Sequence, residues 1–313
     1  MAIVYKRLGK TKEKIPALGM GTWQMSVDGG SLAALKKGLA LGDGFIDTAE
    51  IYGTEELVGS AIKDEGEDEN DVFIASKVWP SHFKYKEVLH ACEQSLKRLG
   101  VKTIDLYQLH WPNYTVPIEE TMAAMEHLQK EGKIRHIGVS NFTVKEFQEA
   151  QACLSHSDIV SNQVEYSIIM REPEKDGLLE FCEKEGVTLI AYSPLASGAL
   201  FERRRAPLLK ELEAIAARYG KTASQISLSW LISHEPVVAI PKASTVTHTE
   251  QNIATMDIGL LAEDIAELDE VSSRFRKLHH TPLAGSPLTR KILKHTKFWH
   301  KYAERKYGGN KNL

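Results

Sequence analysis

Four ionisable side chains lie at or just after the ends of three apolar, β-rich runs of the sequence. Asp47 lies near the end of GFIDTA, Tyr52 follows in EIYG, Lys77 is near the end of VFIASKV, and His110 is near the end of IDLYQLHW. The runs recur after about 30 residues, the length of one strand–helix–strand unit. Since neighbouring parallel strands end at one rim, we predict that a carboxylate, a phenol, an ammonium and an imidazole meet there. Such a set is suited to proton transfer.

Each of the four side chains has a chemical use in this arrangement. The pKa of tyrosine in water is about 10. We expect a neighbouring Lys77 ammonium to favour the phenolate and lower the pKa of Tyr52. A buried lysine needs a charge partner, which Asp47 on the adjacent strand can supply. His110 can donate a hydrogen bond to a substrate oxygen. The set therefore favours carbonyl reduction, in which hydride adds to carbon while Tyr52 protonates the developing alkoxide.

Taken singly, the same residues have ordinary structural explanations. Asp47 is compatible with a turn or helix cap, Tyr52 with a loop aromatic, Lys77 with a surface strand end, and His110 with a core histidine. The functional interpretation depends on their occurrence together at successive strand ends on one rim.

Eight β-rich runs alternate with helical stretches along the chain. Several runs are apolar throughout, as expected for parallel strands that are covered on both faces. We predict a single (β/α)8 TIM barrel over residues 1–275, closed at the bottom by an N-terminal β-hairpin within residues 3–18 and followed by an extra helix at 261–273. The predicted strands are 18–23, 44–49, 72–78, 104–111, 134–141, 159–166, 188–195 and 237–243.

A doubly wound open sheet is the alternative α/β architecture. It usually carries a glycine-rich phosphate loop after its first strand. The run LGMGTW contains Gly19 and Gly21, but Gln24 stands where the third glycine of that motif belongs. Zinc-protease HExxH and serine-hydrolase GxSxG motifs are absent from the sequence. We therefore predict neither a Rossmann domain nor a metal site.

The sequence contains no apolar run long enough for a transmembrane helix and no secretory signal at its N-terminus. The three cysteines, Cys92, Cys153 and Cys182, form no CxxC motif. An odd, sparse set of this kind is typical of reduced thiols. These features predict a cytoplasmic protein.

Residues 276–313 form a basic C-terminal extension that we do not expect to be an independent domain. The segment has ten Lys or Arg residues and one acidic residue, Glu304, although the whole chain has a net charge of −3. Such a segment could bind nucleic acid or another polyanion. We favour packing against the acidic body of its own chain or of a partner chain. The sequence leaves monomer and dimer open.

The chain resembles the aldo-keto reductase family from the LGMGTW strand to about residue 273. FIDTAEIYG, IASKVW and LYQLHWP are similar to the segments that carry the family's catalytic residues, and GVSNF, SNQVEY, AYSPLASG and IPKAS to its cofactor-binding segments. The resemblance implies a barrel that binds extended NADPH without a Rossmann domain, with hydride from the nicotinamide. It makes Tyr52 the proton donor, Lys77 and Asp47 its tuning pair, and His110 the orienting group.

The resemblance also implies a set of cofactor contacts at the ends of the later strands and of the first. These are Ser140, Asn141 and Gln163 at the carboxamide, Tyr192 stacked on the nicotinamide ring, Ser193, Leu195 and Ser197 along the pyrophosphate, Lys242, Ser244 and Asn252 at the adenosine, and Gly21, Thr22 and Trp23 on the first strand.

One departure from the family pattern concerns the 2′-phosphate of the cofactor. A helix beginning near residue 247 would point its N-terminus at that group. His248 stands where the family often has arginine, and Gln251 where an acid is common. Histidine makes a weaker and pH-dependent anion contact. Because Lys242 remains, we expect NADPH to be preferred, with NADH possible.

The combined prediction is a reductase of small aldehydes or ketones, such as a sugar, a keto acid or a dicarbonyl compound. Trp23, Trp79 and Trp111 are predicted to form the apolar walls of its substrate pocket. The alternative is a regulatory or redox-sensing subunit that keeps the same barrel and cofactor but has weak activity.

Overall fold

The computed structural model describes residues 2–66, 71–202 and 206–274. An antiparallel hairpin of β1 (Tyr5–Arg7) and β2 (Lys14–Pro16) precedes eight strands that pair in parallel and in sequence order. These strands are β3 (Met20–Gly21), β4 (Phe45–Asp47), β5 (Phe73–Val78), β6 (Ile104–Leu109), β7 (Ile134–Ser140), β8 (Ile159–Glu165), β9 (Thr188–Tyr192) and β10 (Val237–Ala239).

Contacts between the first and last strands close the sheet. Leu18 and Ala239 form a parallel bridge. The amide of Gly19 donates to the carbonyl of Ala239 over 2.8 Å, and the amide of Ala239 donates to the carbonyl of Ala17 over 3.0 Å. The predicted (β/α)8 barrel is therefore confirmed, although only Met20–Gly21 of the predicted run 18–23 is regular strand.

Helices follow the strands and cover the outside of the barrel. Two of them begin with a capping box, formed by Thr143 and Glu146 in one helix and by Thr222 and Gln225 in another. The helices are α1 (Gly29–Ala40), α2 (Glu55–Glu65), α3 (Tyr85–Leu99), α4 (Ile118–Lys130), α5 (Val144–Gln151), α6 (Glu172–Lys175), α7 (Leu178–Glu185), α8 (Ala206–Tyr219), α9 (Ala223–Ser233), α10 (Val246–Ile253) and α11 (Ala262–Arg274).

The hairpin closes the amino end of the barrel with apolar side chains. Leu8 and Ile15 are fully buried and pack in one cluster with residues from the starts of the barrel strands, including Phe45 and Phe73. The rings of Phe45 and Phe73 meet edge-on with centroids 5.5 Å apart. The barrel interior is thus filled at this end, which leaves the opposite, carboxyl end for the polar residues.

The last described helix, α11, is fastened to the barrel by polar contacts. Asp269 accepts a hydrogen bond from the indole Nε1 of Trp230 at 3.1 Å and lies 2.9 Å from the Arg171 guanidinium. The Ser272 hydroxyl donates to the carbonyl of Ile168, in the segment after β8. No helix within the described ranges is long and apolar enough to cross a bilayer. The basic segment 276–313 and the predicted boundary at residue 275 lie outside the described residues, so those predictions remain untested.

Candidate active site

The four predicted residues meet at the carboxyl ends of β4, β5 and β6. Lys77 donates from Nζ to Oδ1 of Asp47 over 2.5 Å and to the carbonyl of Thr48 over 2.8 Å. The Tyr52 hydroxyl lies 3.2 Å from Nε2 of His110, and Lys77 Nζ is 5.0 Å from the centroid of the Tyr52 ring. The strand spacing read from the sequence therefore locates all four side chains correctly.

Tyr52 lies in a short 3₁₀ turn, Glu50–Tyr52, that follows β4. Gly53 ends this turn in the left-handed region at φ 68°, which glycine adopts without steric cost. Three buried threonine hydroxyls pack next to this turn. The Thr54 hydroxyl lies 2.9 Å from the Thr22 hydroxyl and 2.9 Å from the Thr48 hydroxyl. The Thr22 side chain, predicted for the cofactor site, belongs to this cluster and also donates to the carbonyl of Asp47.

The carboxylate of Asp47 is held by more than Lys77. Gln163 donates from Nε2 to Oδ2 of Asp47 over 2.8 Å, and Gln108 Nε2 lies 3.5 Å from the same oxygen. Gln108 was not among the predicted site residues. The sequence nevertheless indicates Gln108 as a site residue, because it is a polar residue inside an apolar strand. It lies two positions before His110 and therefore on the same face of the strand. The aspartate is therefore oriented through both of its oxygens.

Burial has the largest effect on the pKa values of the Lys77 ammonium and the Tyr52 phenol. Burial lowers the pKa of Lys77, while the charge of Asp47 acts in the opposite direction. Burial raises the pKa of Tyr52 well above its usual value, and the charge of Asp47 raises it further. The predicted lowering of the Tyr52 pKa is therefore wrong for the free protein. The physical reason is that burial disfavours the charged phenolate, and the neighbouring Asp47 carboxylate disfavours it further.

His110 is neutral in this environment. Burial and the neighbouring Lys77 ammonium lower its pKa well below 6.5. Its Nδ1 is buried without a hydrogen-bond partner among the described residues. A buried N–H without an acceptor is rarer and costlier than an unpaired lone pair, so we assign the proton to Nε2. His110 then donates towards the Tyr52 oxygen.

Tryptophan rings contact the Tyr52 and His110 rings. The Trp23 ring lies 4.8 Å from the Tyr52 ring at an interplanar angle of 59°. The Trp79 ring meets the His110 ring edge-on, with centroids 5.0 Å apart. Trp111 directly follows His110 and is half-buried. The predicted pocket residues thus lie around the same rim.

The residues predicted for the carboxamide form one hydrogen-bonded group at the ends of β7, β8 and β9. Ser140 donates from Oγ to the carbonyl of Gln163 over 2.9 Å. Asn141 donates from Nδ2 to the carbonyl of His110 over 3.1 Å, and Tyr192 donates from its hydroxyl to Oδ1 of Asn141 over 3.0 Å. These polar groups lie beside the tetrad, where a flat, amide-bearing ring could contact them.

The loop after β9 has a strained backbone. Ser193, Ala196 and Ser197 have φ values of 48°, 51° and 52°, in the left-handed region that side chains other than glycine rarely adopt. Such residues cost on the order of 1–3 kcal/mol each and cluster at binding sites. Ser197 is exposed, and its hydroxyl is 3.4 Å from that of Ser193. Leu195, also predicted here, is half-buried against the apolar core.

The residues predicted for the adenosine end lie beyond β10 and on α10. Lys242, His248 and Gln251 are exposed, and Ser244 and Asn252 are half-buried. Thr245 caps α10, and its hydroxyl accepts from the His248 amide at 3.3 Å. The Gly21 amide donates to the carbonyl of Pro241 over 3.2 Å, which joins β3 to this segment. Following the strand order, the predicted contacts form a continuous band from β7 to β3.

Comparison with protein families and curated relatives agrees with this geometry. The model of the Aldo/keto reductase family matches residues 17–273. Methylglyoxal reductase YeaE of Escherichia coli is 41% identical over 265 residues, covering 82% of this chain and 90% of the relative. Glyoxal reductase of Bacillus subtilis is 35% identical over 259 residues, covering 83% and 90%.

Solved structures show the same architecture. A thermostable aldo-keto reductase crystallised with the inhibitor epalrestat is 45% identical, with a TM-score of 0.81 over 86% of this chain and 100% of that chain. An aldo-keto reductase from Klebsiella pneumoniae in complex with NADPH is 38% identical, with a TM-score of 0.78 over 87% and 96%. The chain therefore belongs to the aldo/keto reductase family and is an NAD(P)H-dependent oxidoreductase.

Proposed function

We propose that this protein uses NADPH to reduce small aldehydes and ketones, with 2-oxoaldehydes such as methylglyoxal as the preferred class. The observation that carries the proposal is the 3.2 Å contact between the Tyr52 hydroxyl and His110 Nε2, next to the buried Lys77–Asp47 pair. Two oxygen-directed donors beside an ion pair fit a carbonyl that gains negative charge. The similarity to methylglyoxal and glyoxal reductases supports the substrate class.

The band of polar residues fits a nicotinamide dinucleotide. Ser140, Asn141 and Gln163 would hold its carboxamide, and Tyr192 would offer an aromatic face to its ring. The strained loop carrying Ser193 and Ser197 fits the pyrophosphate, and Lys242 and His248 fit the 2′-phosphate of NADPH. Gly21 and Trp23 border the same band. When bound, the nicotinamide supplies the hydride.

Tyr52 and His110 share the work at the carbonyl oxygen. His110 donates from Nε2 and orients the oxygen, while the Tyr52 hydroxyl transfers its proton as the alkoxide develops. The raised pKa of Tyr52 keeps this proton in place at neutral pH before the reaction. Once Tyr52 has become a phenolate, the Lys77 ammonium, 5.0 Å from the ring centroid, stabilises the new charge. Lys77 therefore acts on the state after proton transfer.

The pocket walls explain why a small carbonyl compound fits. Trp23 and Trp79 lie against Tyr52 and His110, and Trp111 borders the same site. Apolar walls exclude water and strengthen the polar contacts at the oxygen. A short substrate with a carbon-rich body and few hydroxyl groups suits such walls better than a sugar.

Steady-state kinetics test this proposal. NADPH oxidation would be followed with methylglyoxal, glyoxal, a sugar aldehyde and a keto acid, and we expect the 2-oxoaldehydes to give the highest kcat/KM. Tyr52→Phe should lower turnover by about 10²-fold or more, while NADPH binding stays unchanged. A wild-type protein that bound NADPH without reducing any of these compounds would instead support a redox-sensing subunit. Normal turnover by Tyr52→Phe would refute the role of Tyr52.

A further inference from the structure

Glu50 connects the turn that carries Tyr52 to the segment that carries Trp79. The Glu50 side chain begins the turn after β4 and is 9% exposed. Its Oε1 accepts a hydrogen bond from the backbone amide of Trp79. His82 Nδ1 lies 3.1 Å and 3.2 Å from the two carboxylate oxygens. One carboxylate therefore fastens the segment after β5 to the turn after β4.

The position of the Trp79 ring depends on this backbone contact. Trp79 is 3% exposed, and its ring meets the His110 ring at an interplanar angle of 89°. Within the part of the chain that the structure describes, the indole Nε1 has no hydrogen-bond partner. The indole is thus placed by packing and by its main chain, whose amide is bonded to Glu50.

Asn113 fastens the same segment from the other side. Its Nδ2 donates to the carbonyl of Pro80 over 2.6 Å. Its Oδ1 accepts from the amide and the hydroxyl of Thr115, at 2.7 Å and 2.8 Å, and this fixes the orientation of the side-chain amide. The segments after β4, β5 and β6 are therefore linked in a row, which we call the rim brace: Glu50, residues 79–82 and Asn113.

We infer that Glu50 is a positioning residue for carbonyl reduction, which acts by fixing Trp79 against His110. This inference rests on the proposed function. Loss of the Glu50 carboxylate leaves the buried Trp79 amide without its acceptor, so the 79–82 segment must move to find another. A shift of about 1 Å at the reacting groups can cost on the order of 10²-fold in rate. No residue of the rim brace belongs to the predicted cofactor band, so NADPH binding should not change.

Kinetics of matched variants separate positioning from general stability. Glu50→Ala should raise KM for methylglyoxal and lower kcat/KM by about 30-fold, with NADPH affinity close to wild type and a melting temperature lowered by a few degrees. Glu50→Gln keeps an oxygen acceptor and should retain most activity. His82→Ala removes the exposed partner and serves as the control, with an effect below about threefold. Glu50→Ala with wild-type kcat/KM, or with a parallel loss of NADPH affinity, would overturn the inference, as would equal impairment of Glu50→Gln.

Hydrogen exchange at the Trp79 amide gives a readout that does not require turnover. Glu50→Ala should accelerate exchange in the peptide that contains Trp79, whereas Glu50→Gln should preserve its protection. Unchanged exchange in Glu50→Ala would overturn the rim brace even in an active enzyme. A wild-type protein inactive towards all carbonyl compounds would refute the proposed function, while normal acceleration of exchange in that protein would still support the brace.

Discussion

The side-chain amide of Gln163 donates to Oδ2 of Asp47 over 2.8 Å, while Lys77 occupies Oδ1 of the same carboxylate. A residue expected to hold the cofactor therefore also orients the ion pair next to the proton donor. In the proposed mechanism, Gln163 joins cofactor binding to acid–base chemistry. Substitution of Gln163 should therefore affect both cofactor binding and proton transfer. Substitution of Gln108, which lies near the same Asp47 oxygen but was not predicted to bind the cofactor, should not.

Gln163→Met should impair both functions of this amide. The variant keeps the volume but removes the donor to Asp47, and we expect kcat/KM for the carbonyl substrate to fall by about 10²-fold and NADPH binding to weaken. Gln108→Met is the matched control, because its Nε2 lies 3.5 Å from Asp47 and contributes little. Its effect on kcat should stay below about threefold. Equal losses in the two variants would contradict the assignment.

The pH profile of reduction should be flat around neutrality. The pKa of His110 lies well below 6.5, so His110 is neutral across this range. Burial raises the pKa of Tyr52 well above 10.0 and lowers that of Lys77 from 10.5. We therefore expect the alkaline limb of kcat to follow the loss of the Lys77 proton.

Lys77→Arg tests this assignment of the alkaline limb. Arginine stays charged at all accessible pH values, so the variant should lose the limb even though its kcat is lower throughout. The measurement is kcat against pH at saturating NADPH and substrate. An alkaline limb that kept its midpoint in Lys77→Arg would assign it to Tyr52 instead.

The sequence predicts the features of this site that follow from strand spacing, but not those that depend on burial and on charges brought close by the fold. The approximate 30-residue period places Asp47, Lys77 and His110 at one rim, because parallel strands in register admit no other arrangement of their ends. The pKa of Tyr52 depends on complete burial and on the charge of Asp47, and neither can be read from local patterns. Its predicted direction was consequently wrong.

Long-range side-chain contacts are the other part that the sequence does not reveal. Glu50 carries no motif that indicates a bond to the Trp79 amide 29 residues away. The threonine cluster of Thr22, Thr48 and Thr54 likewise requires the three-dimensional approach of two loops. Gln108 is different, because a polar residue inside an apolar strand can be recognised in the sequence as a candidate site residue.

Asp43 is a buried carboxyl group outside the proposed mechanism, and its charge should cost stability. It is 2% exposed, its Oδ1 accepts only a long hydrogen bond of 3.4 Å from the Phe45 amide among the contacts of the described residues, and burial raises its pKa well above 3.8. A carboxyl group whose folded pKa is raised stabilises the fold below its unfolded pKa and loses that contribution as the pH rises.

Asp43→Asn should therefore be more stable than wild type at pH 7 to 8, by about 1 kcal/mol or more, because the amide keeps an acceptor and carries no charge. Thermal melts across pH would measure this. The gap should narrow as the pH falls through about 4, because at lower pH the wild-type group becomes protonated in the unfolded state as well as in the folded one. A variant less stable than wild type at pH 8 would show that the carboxylate has a stabilising partner.

His248→Arg should increase the preference for NADPH over NADH. His248 is exposed at the first turn of α10, where its amide is held by the Thr245 cap, so a longer side chain can be accommodated without repacking. Arginine offers a fixed charge and two parallel N–H donors to a phosphate, which the imidazole ring of histidine cannot offer. We expect Kd for NADPH to fall by about tenfold with Kd for NADH unchanged, as measured by fluorescence titration. An equal gain for both cofactors would place the 2′-phosphate away from His248.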